Sequence, residues 1–323
     1  MSSSEGDVGA SAKIALPPEL QRYILELVAL GSPVHARGLL CVAWRVKEWV
    51  EPLLYRTLVV GCRRGPDLPP CDFATLAAFS NARRGAVRNL LMFESLAKLP
   101  ASELADLLES LPGIEDLYMA DNEFDRKWSP AHPNPGTLRA FNNLSLRRLH
   151  CLLGATFDLT DPTLFTQPAF AKLTHLEVFD RLFSWEDDED VDAVIACWSR
   201  LAELPALTHL SLEAIPKPPF CAQILQTFPH LRVFIAHANM SEVRRFFRLA
   251  GPHAAVVRQD PRFIVLQIAH WRADWENGVL GGEDSWAKAE QAVAAGYMVP
   301  ENDRLLQRKF VLGHVDAPDE DDD

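Results

Sequence analysis

Pairs of apolar residues separated by one position recur along the middle of the chain, and helical runs precede them. The clearest copies begin with an apolar residue, a proline, any residue and a second apolar residue. They occupy residues 111–119, 204–212 and 228–236, and residues 170–178 keep the spacing without the proline. The alternation predicts a half-buried strand, and the proline, which cannot continue a helix, predicts that a helix ends before it. The pattern therefore predicts a helix–strand unit that repeats.

Seven strand positions mark the predicted repeat when weaker copies are included. These markers are Leu90, Leu117, Leu149, Leu176, Leu210, Phe234 and Leu266, at intervals of 27, 32, 27, 34, 24 and 32 residues. Such units cannot bury both faces alone, so neighbours must stack. We predict an α/β fold: an irregular leucine-rich-repeat solenoid with a parallel concave sheet and outer helices, over residues 57–270. The alternative is an ordinary α/β domain whose strands merely resemble each other.

A small all-α module is predicted before the array, over residues 13–56. Prolines stand at the start of its first helix, where their missing N–H costs nothing. Its two apolar stripes are Leu20, Ile24, Leu27 and Val28, and then Leu39, Val42, Val46, Trp49 and Leu53. Pro52 is expected to end or kink the second run near Glu51. A segment this short buries little surface, so we expect it to pack on the array, on a partner, or on both.

The same segment resembles a known motif. Leu16, Pro17, Pro18, Glu19, Leu20, Ile24, Leu39 and Val42, followed by a tryptophan-rich helix, are similar to the F-box motif. Residues 49–56 resemble the continuation in F-box-like proteins of mushroom-forming fungi, where such a module precedes an irregular leucine-rich array. The resemblance is specific over residues 14–60 and looser beyond. One departure is Val46, which stands where the motif usually has tryptophan, with Trp44 and Trp49 on either side.

The resemblance implies a protein-interaction receptor rather than an enzyme. An F-box binds the Skp-family adaptor of a cullin-based ubiquitin ligase, and the array would present an unknown target protein on its concave face. The residues that match the adaptor-contacting positions are Leu16, Pro17, Pro18, Leu20, Ile24, Val42, Val46, Trp49 and Leu53. Each is equally explained as core, and the whole module could simply cap the array. A leucine-rich scaffold with no ligase role and an enzyme of unrecognised type are the alternative functions.

Composition and charge narrow the choice of partners and compartment. The formal charge is -12, with 32 Lys and Arg against 44 Asp and Glu, which argues against nucleic acid as a partner. No run of apolar residues is long enough to span a membrane. Residues 1–12 lack the apolar core of a signal peptide and are predicted to be disordered. The six scattered cysteines favour free thiols. We therefore expect a cytoplasmic or nuclear protein, monomeric within a hetero-complex.

Candidate ligands for metal ions are present but are not convergent in the sequence. His175 and His209 occupy the same repeat position, yet no second ligand recurs beside them, and a metal site needs three or four. The acidic run at residues 186–190 lacks the glycine and glutamate of a calcium-binding loop. No phosphate-binding or nucleophile motif occurs. The sequence thus predicts no metal, no cofactor and no catalytic residue.

The C-terminal segment departs from the repeat and is rich in tryptophan. We predict that residues 271–315 cap the last strand of the array. A more specific alternative is that the tryptophans form an aromatic patch that binds a ligand. Residues 316–323 are strongly acidic and are predicted to be disordered.

Overall fold

The computed structural model describes residues 16–31, 33–61, 70–93, 101–120, 135–180, 191–248, 251–267 and 271–296. The chain divides into two compact units, Met1–Leu54 and Tyr55–Asp323. The segments predicted to be disordered, 1–12 and 316–323, lie outside the described residues, as does the acidic run at 186–190.

The described part of the first unit contains three short helices. They are α1 (Pro18–Gly31), α2 (Pro33–Leu39) and α3 (Trp44–Leu54). Their small core is built from Ala29, Ala36, Val46 and Val50, with Leu25, Leu39, Leu40, Trp49, Leu53 and Leu54 packed around it. This unit therefore buries one side of each helix within itself.

The residues of the predicted second stripe do not lie on a single helix. A turn follows α2, closed by hydrogen bonds from the backbone N–H of Cys41 to Gly38 and of Val42 to Leu39. Val42 therefore does not share a helix with the later positions of that stripe. The helix does not end near Glu51 as one form of the prediction had it, because α3 continues through Pro52 to Leu54. Pro52 has no backbone N–H, so the last turn lacks one hydrogen bond, to the carbonyl of Glu48.

One parallel sheet runs through the second unit. Among the residues that the structure describes, its nine strands are β1 (Thr57–Val60), β2 (Pro70–Cys71), β3 (Asn89–Phe93), β4 (Asp116–Ala120), β5 (Arg148–Cys151), β6 (His175–Val178), β7 (His209–Leu212), β8 (Val233–His237) and β9 (Phe263–Leu266). The two-residue β2 lies at the edge beside β1, and from β1 through β3 to β9 each strand pairs with the next one along the chain. The predicted α/β class and the parallel ladder in chain order are confirmed.

Helices alternate with these strands. They are α4 (Phe73–Ala77), α5 (Asn81–Ala86), α6 (Ala101–Glu109), α7 (Pro135–Asn142), α8 (Leu153–Thr156), α9 (Val191–Trp198), α10 (Pro218–Thr227), α11 (Met240–Arg248), α12 (Pro252–Gln259), α13 (Trp271–Val279) and α14 (Ser285–Ala294), with 3-10 turns at Leu164–Thr166, Pro168–Phe170 and Ser199–Glu203. Side chains from α4 and from α6 to α12 pack with one face of the sheet into the main core. No described helix is long and apolar enough to cross a membrane.

Strand pairing aligns the leucine positions into a continuous buried row. The row is Leu58, Leu90, Leu117, Leu149, Leu176, Leu210, Phe234 and Phe263. Six of the predicted markers lie in it. The seventh, Leu266, is wrong, because Phe263 pairs with Phe234 while Leu266 pairs with His237 on the opposite face. All four β9 side chains are apolar and buried, so alternation could not choose the inner position.

Gly113 follows the first repeat proline, and neighbouring atoms leave no room for a side chain at this position. A Cβ at this position would lie 2.8 Å from the carbonyl oxygen of Val87 and would overlap the guanidinium of Arg88. Arg88 links this turn to the end of α5, since its Nη1 donates to the carbonyls of Gly85, Val87 and Gly113 at 2.7, 2.9 and 3.4 Å.

We therefore expect Gly113→Ala to lower the free energy of unfolding by about 1–3 kcal/mol, because Arg88 must move away. Gly85→Ala is the matched control: an added Cβ there meets nothing within 4 Å, and alanine favours helix α5. Urea denaturation of both variants compares the two. Equal stability of the two variants would contradict the close approach.

Candidate functional site

Helix α1 presents an apolar stripe to solvent. The apolar side chains of this stripe, each between 41% and 60% exposed, are Leu16, just before the helix, and Leu20, Tyr23, Ile24, Leu27, Val28 and Leu30 within it. Only Leu25 and Ala29 of the helix's apolar residues pack into the core of the first unit. A continuous exposed apolar surface of this kind typically marks a site where another protein binds.

Two further apolar side chains extend the exposed surface of the first unit. Val42, in the turn before α3, is 65% exposed, and Trp44, at the start of α3, is 71% exposed. The indole Nε1 of Trp44 donates to Glu48 Oε1 at 2.8 Å, and the Lys47 ammonium lies 5.1 Å from the ring centroid. These contacts orient the indole without burying it.

The nine predicted adaptor-contacting residues separate into two groups. The exposed group comprises Leu16, Pro17, Pro18, Leu20, Ile24 and Val42. The other three, Val46, Trp49 and Leu53, belong to the core of the helical unit, and Val46 is only 4% exposed. The predicted site residues do not include the exposed Tyr23, Leu27, Val28, Leu30 and Trp44. Helical spacing alone does not say which side of an amphipathic helix faces its neighbours.

The sheet of the second unit has another face, opposite the main core. We call it the second face. Its central row is Val59, Leu91, Tyr118, His150, Glu177, Ser211, Ile235 and Ile264, and a flanking row includes Asp116, Arg148, His175 and His209. Most of the polar members are buried, because helices α13 and α14 lie across them.

The C-terminal helices do more than close the last strand. Trp286 and Ala289 of α14 pack on Val233 of β8 and Ile264 of β9, consistent with the predicted cap. Trp275 of α13 reaches back to a separate cluster that includes residues of β1, β3 and β4. The C-terminal helices therefore contact strands from one end of the sheet to the other.

Glu177 is the centre of a buried polar cluster on the second face. The Nδ1–H of His150 donates to Glu177 Oε2 at 2.6 Å, and the Ser211 hydroxyl donates to Oε1 at 3.2 Å. The Nε2 of His237 lies 3.3 Å from the same Oε1. Burial alone would raise the pKa of Glu177, but the interactions with His150 and His237 outweigh it and lower the pKa to about 2. Glu177 is therefore ionised.

Asp116 joins this cluster to helix α13. Its Oδ1 accepts a hydrogen bond from Trp275 Nε1 at 2.9 Å and lies 3.6 Å from His150 Nε2. Burial raises the pKa of Asp116, against the opposing effects of His150 and Trp275. Burial would lower the pKa of His150, but Glu177 and then Asp116 raise it overall. His150 thus lies between two buried carboxyl groups and interacts with both.

The two histidines singled out in the sequence stack on each other. The rings of His175 and His209 are 4.1 Å apart and nearly parallel, and the edge of Trp286 meets both. Burial, followed by the nearby His209, lowers the pKa of His175 to about 2. His209 Nε2 lies 3.0 Å from Glu290 Oε1. In the described part of the chain, no group of three or more His, Cys, Asp or Glu is arranged to hold a metal ion.

The space between the cluster and the C-terminal helices is small. A cavity of about 10 Å³ is lined by residues that include His150, Glu177, Trp275 and Trp286. This volume holds about one water molecule and no organic substrate. The cluster therefore acts, in this arrangement, by positioning α13 and α14 on the sheet.

No protein-family model matches the chain, and no curated protein sequence matches it. Its function must be argued from the exposed stripe of α1 and from the second face.

Acid should destabilise the native protein through His175. The unfolded chain binds a proton near pH 6.5, the ordinary pKa, whereas the native ring resists protonation down to about 2, so the contribution of His175 to stability falls as pH drops below 6.5. Asp180, whose pKa burial raises to about 7, contributes in the opposite direction over this range, so the effect of His175 is measured as a difference between variants. Between pH 6.5 and 4.5 the loss can reach about 1.4 kcal/mol per pH unit. The contribution of Glu177 lies lower, below its ordinary pKa of 4.5.

The variant His175→Phe keeps a ring against His209 and Trp286, so its stability should fall less steeply over that pH range. Denaturant unfolding at several pH values measures the slopes. His253→Gln, at an exposed histidine on α12, is the control and should follow the wild type. Parallel slopes for His175→Phe and the wild type would show that His175 titrates normally.

Proposed function

We propose that the chain is a receptor of the F-box type. In this proposal the N-terminal helical unit binds a Skp-family adaptor, and the sheet-bearing unit, an irregular leucine-rich-repeat solenoid, holds a target protein for a cullin-based ubiquitin ligase. The chain contributes no catalytic residue and no cofactor. It works by holding two proteins together, which raises the effective concentration of one beside the other.

The exposed stripe of α1 is the observation that carries the proposal. The helical unit already has a core, so the stripe is not required for its own packing. Leu20, Ile24 and Leu27 recur at helical spacing and stay in water, where apolar area costs about 25 cal/mol per Å². A partner with an apolar groove would cover these side chains, as in other helix-in-groove complexes.

The residues of the F-box resemblance take different roles in this proposal. Leu16, Pro17, Pro18, Leu20, Ile24 and Val42 are exposed and would contact the adaptor. Trp49 and Leu53 would hold the helices at the angle the adaptor needs. Val46, at the position where the motif usually has tryptophan, is interior, so its change from the motif affects the packing of the unit first.

Repeated geometry supports the solenoid part of the proposal. The buried row from Leu58 to Phe263 places one apolar residue of each repeat in register with the next, at intervals of 24 to 34 residues. Each strand buries its inner side only against the strands beside it and the helices above. Stacking of this kind is the usual basis of repeat proteins.

The proposed role also fits the predicted setting of the protein. The chain would act as a monomer within a hetero-complex, in the cytoplasm or the nucleus. Protein surfaces rather than nucleic acid or membrane would be its partners, in keeping with its net charge of -12.

Binding of the full chain to a purified Skp-family adaptor tests the proposal directly. We expect measurable affinity by calorimetry, and we expect Leu20→Asp or Ile24→Asp to weaken it at least about tenfold, because each places a charge in the apolar contact. Val256→Asp is the matched control, since Val256 is an exposed apolar residue of the second unit. A folded wild-type chain with no adaptor affinity would refute the proposed function.

A further inference from the structure

Helices α13 and α14 are attached to the sheet through side chains. Among the described residues, the backbone hydrogen bonds of residues 271–296 stay within that segment, such as Leu280 N–H to Glu276 and Gly282 N–H to Asn277. Strands β1 to β9 pair with each other without its help. Removing the segment from the second face would break no described backbone hydrogen bond of the ladder.

Carboxylates of the segment meet basic or donor groups on the sheet. Arg148 Nη1 donates to Asp284 Oδ2 at 3.0 Å, and Glu290 Oε1 lies 3.0 Å from His209 Nε2. The segment carries five acidic residues and two basic ones between positions 271 and 296. These contacts give the second face a preference for a helix with acidic side chains.

Three tryptophans supply the apolar part of the contact. Trp275 packs against Tyr118, while its Nε1 donates to Asp116. Trp271 lies edge-on to His237, with ring centroids 4.3 Å apart. Trp286 covers the stacked histidine pair described above. Indole rings with one polar edge suit a surface that mixes aromatic, histidine and carboxyl groups.

Some polar groups between α13, α14 and the sheet lack hydrogen-bond partners among the described residues, which favours replacement of these helices by another one. Beneath the segment, His237 Nδ1 and Trp286 Nε1 are buried without a hydrogen-bond partner among the described residues, and His150 Nε2 approaches Asp116 Oδ1 only to 3.6 Å. A buried polar group that lacks a partner weakens the interface that buries it. The same interface encloses the cavity of about 10 Å³. Elements with such contacts open locally before the rest of a protein unfolds.

We propose that the second face is a helix-binding surface, occupied within the chain by α13 and α14, and that a partner helix bearing tryptophan and carboxylate side chains displaces them. The partner would make the same contacts as the chain's own segment. Its indoles would pack on Tyr118 and on the histidine pair, and a carboxylate would pair with Arg148. Identification of this partner with the target protein rests on the proposed function, whereas helix binding itself does not.

A labelled peptide of residues 271–294 added to the full chain tests the proposal. The wild-type chain should bind it weakly, because the resident segment competes at high effective concentration. Full chains that carry Trp275→Ala or Glu290→Lys should bind the wild-type peptide at least about tenfold more tightly, since their own segment is weakened. Glu290 has a half-exposed side chain, 52%, so this variant should keep the fold. Fluorescence anisotropy measures the affinities.

Two controls make the result specific. A peptide with Trp275→Ala should bind the weakened chains at least about tenfold less tightly, and Val256→Asp in the chain should leave the wild-type result unchanged. The proposal is overturned if the wild-type peptide binds neither weakened chain while circular dichroism shows both folded. A dimer that exchanges α13 and α14 between copies, without peptide binding, would overturn it too. Adaptor binding is measured separately, so its failure leaves this result intact.

Discussion

The second unit depends on one constraint: a single helix–strand unit cannot bury its apolar side chains alone. Each strand is closed by the strands on either side, and the inner row from Leu58 to Phe263 stays buried only while the register is kept. Because parallel strands return by way of a helix, each repeat also supplies part of the layer over the main core. Irregular spacing is tolerated, since extra residues between a helix and a strand do not alter the pairing.

On the second face of the sheet, buried carboxyl groups are stabilised by pairing with histidine and with hydrogen-bond donors. Asp116 and Glu177 are buried there only because His150, Trp275 and neighbouring groups provide protons or positive charge. Buried carboxylates without such partners would be costly. The same groups bind α13, so the charge pairs on the sheet also help to determine where the C-terminal helices lie. A surface expected to be open for a target is instead occupied by the chain itself.

The first unit combines a small core with an exposed apolar surface. Its core uses Ala29, Val46 and Val50 to bring three short helices together, and the outer stripe of α1 is left over. Periodicity predicted these helices, although it joined the turn at Val42 to α3. Spacing alone could not say which apolar side would be inside, because α1 is apolar at positions around much of its circumference.

Local pattern was enough to place most of the strands, though not the two-residue β2 or the inner position of β9, since alternation and proline positions depend only on neighbours along the chain. The sequence by itself therefore determined the repeating helix–strand unit, its parallel pairing and the separate helical start. Only the tertiary structure decided that His150 meets Glu177, 27 residues away, or that Trp275 meets Asp116, 159 residues away. It also moved the last marker from Leu266 to Phe263. Those outcomes depend on register and on the path of α13, and both are set by packing of distant segments that no local pattern contains.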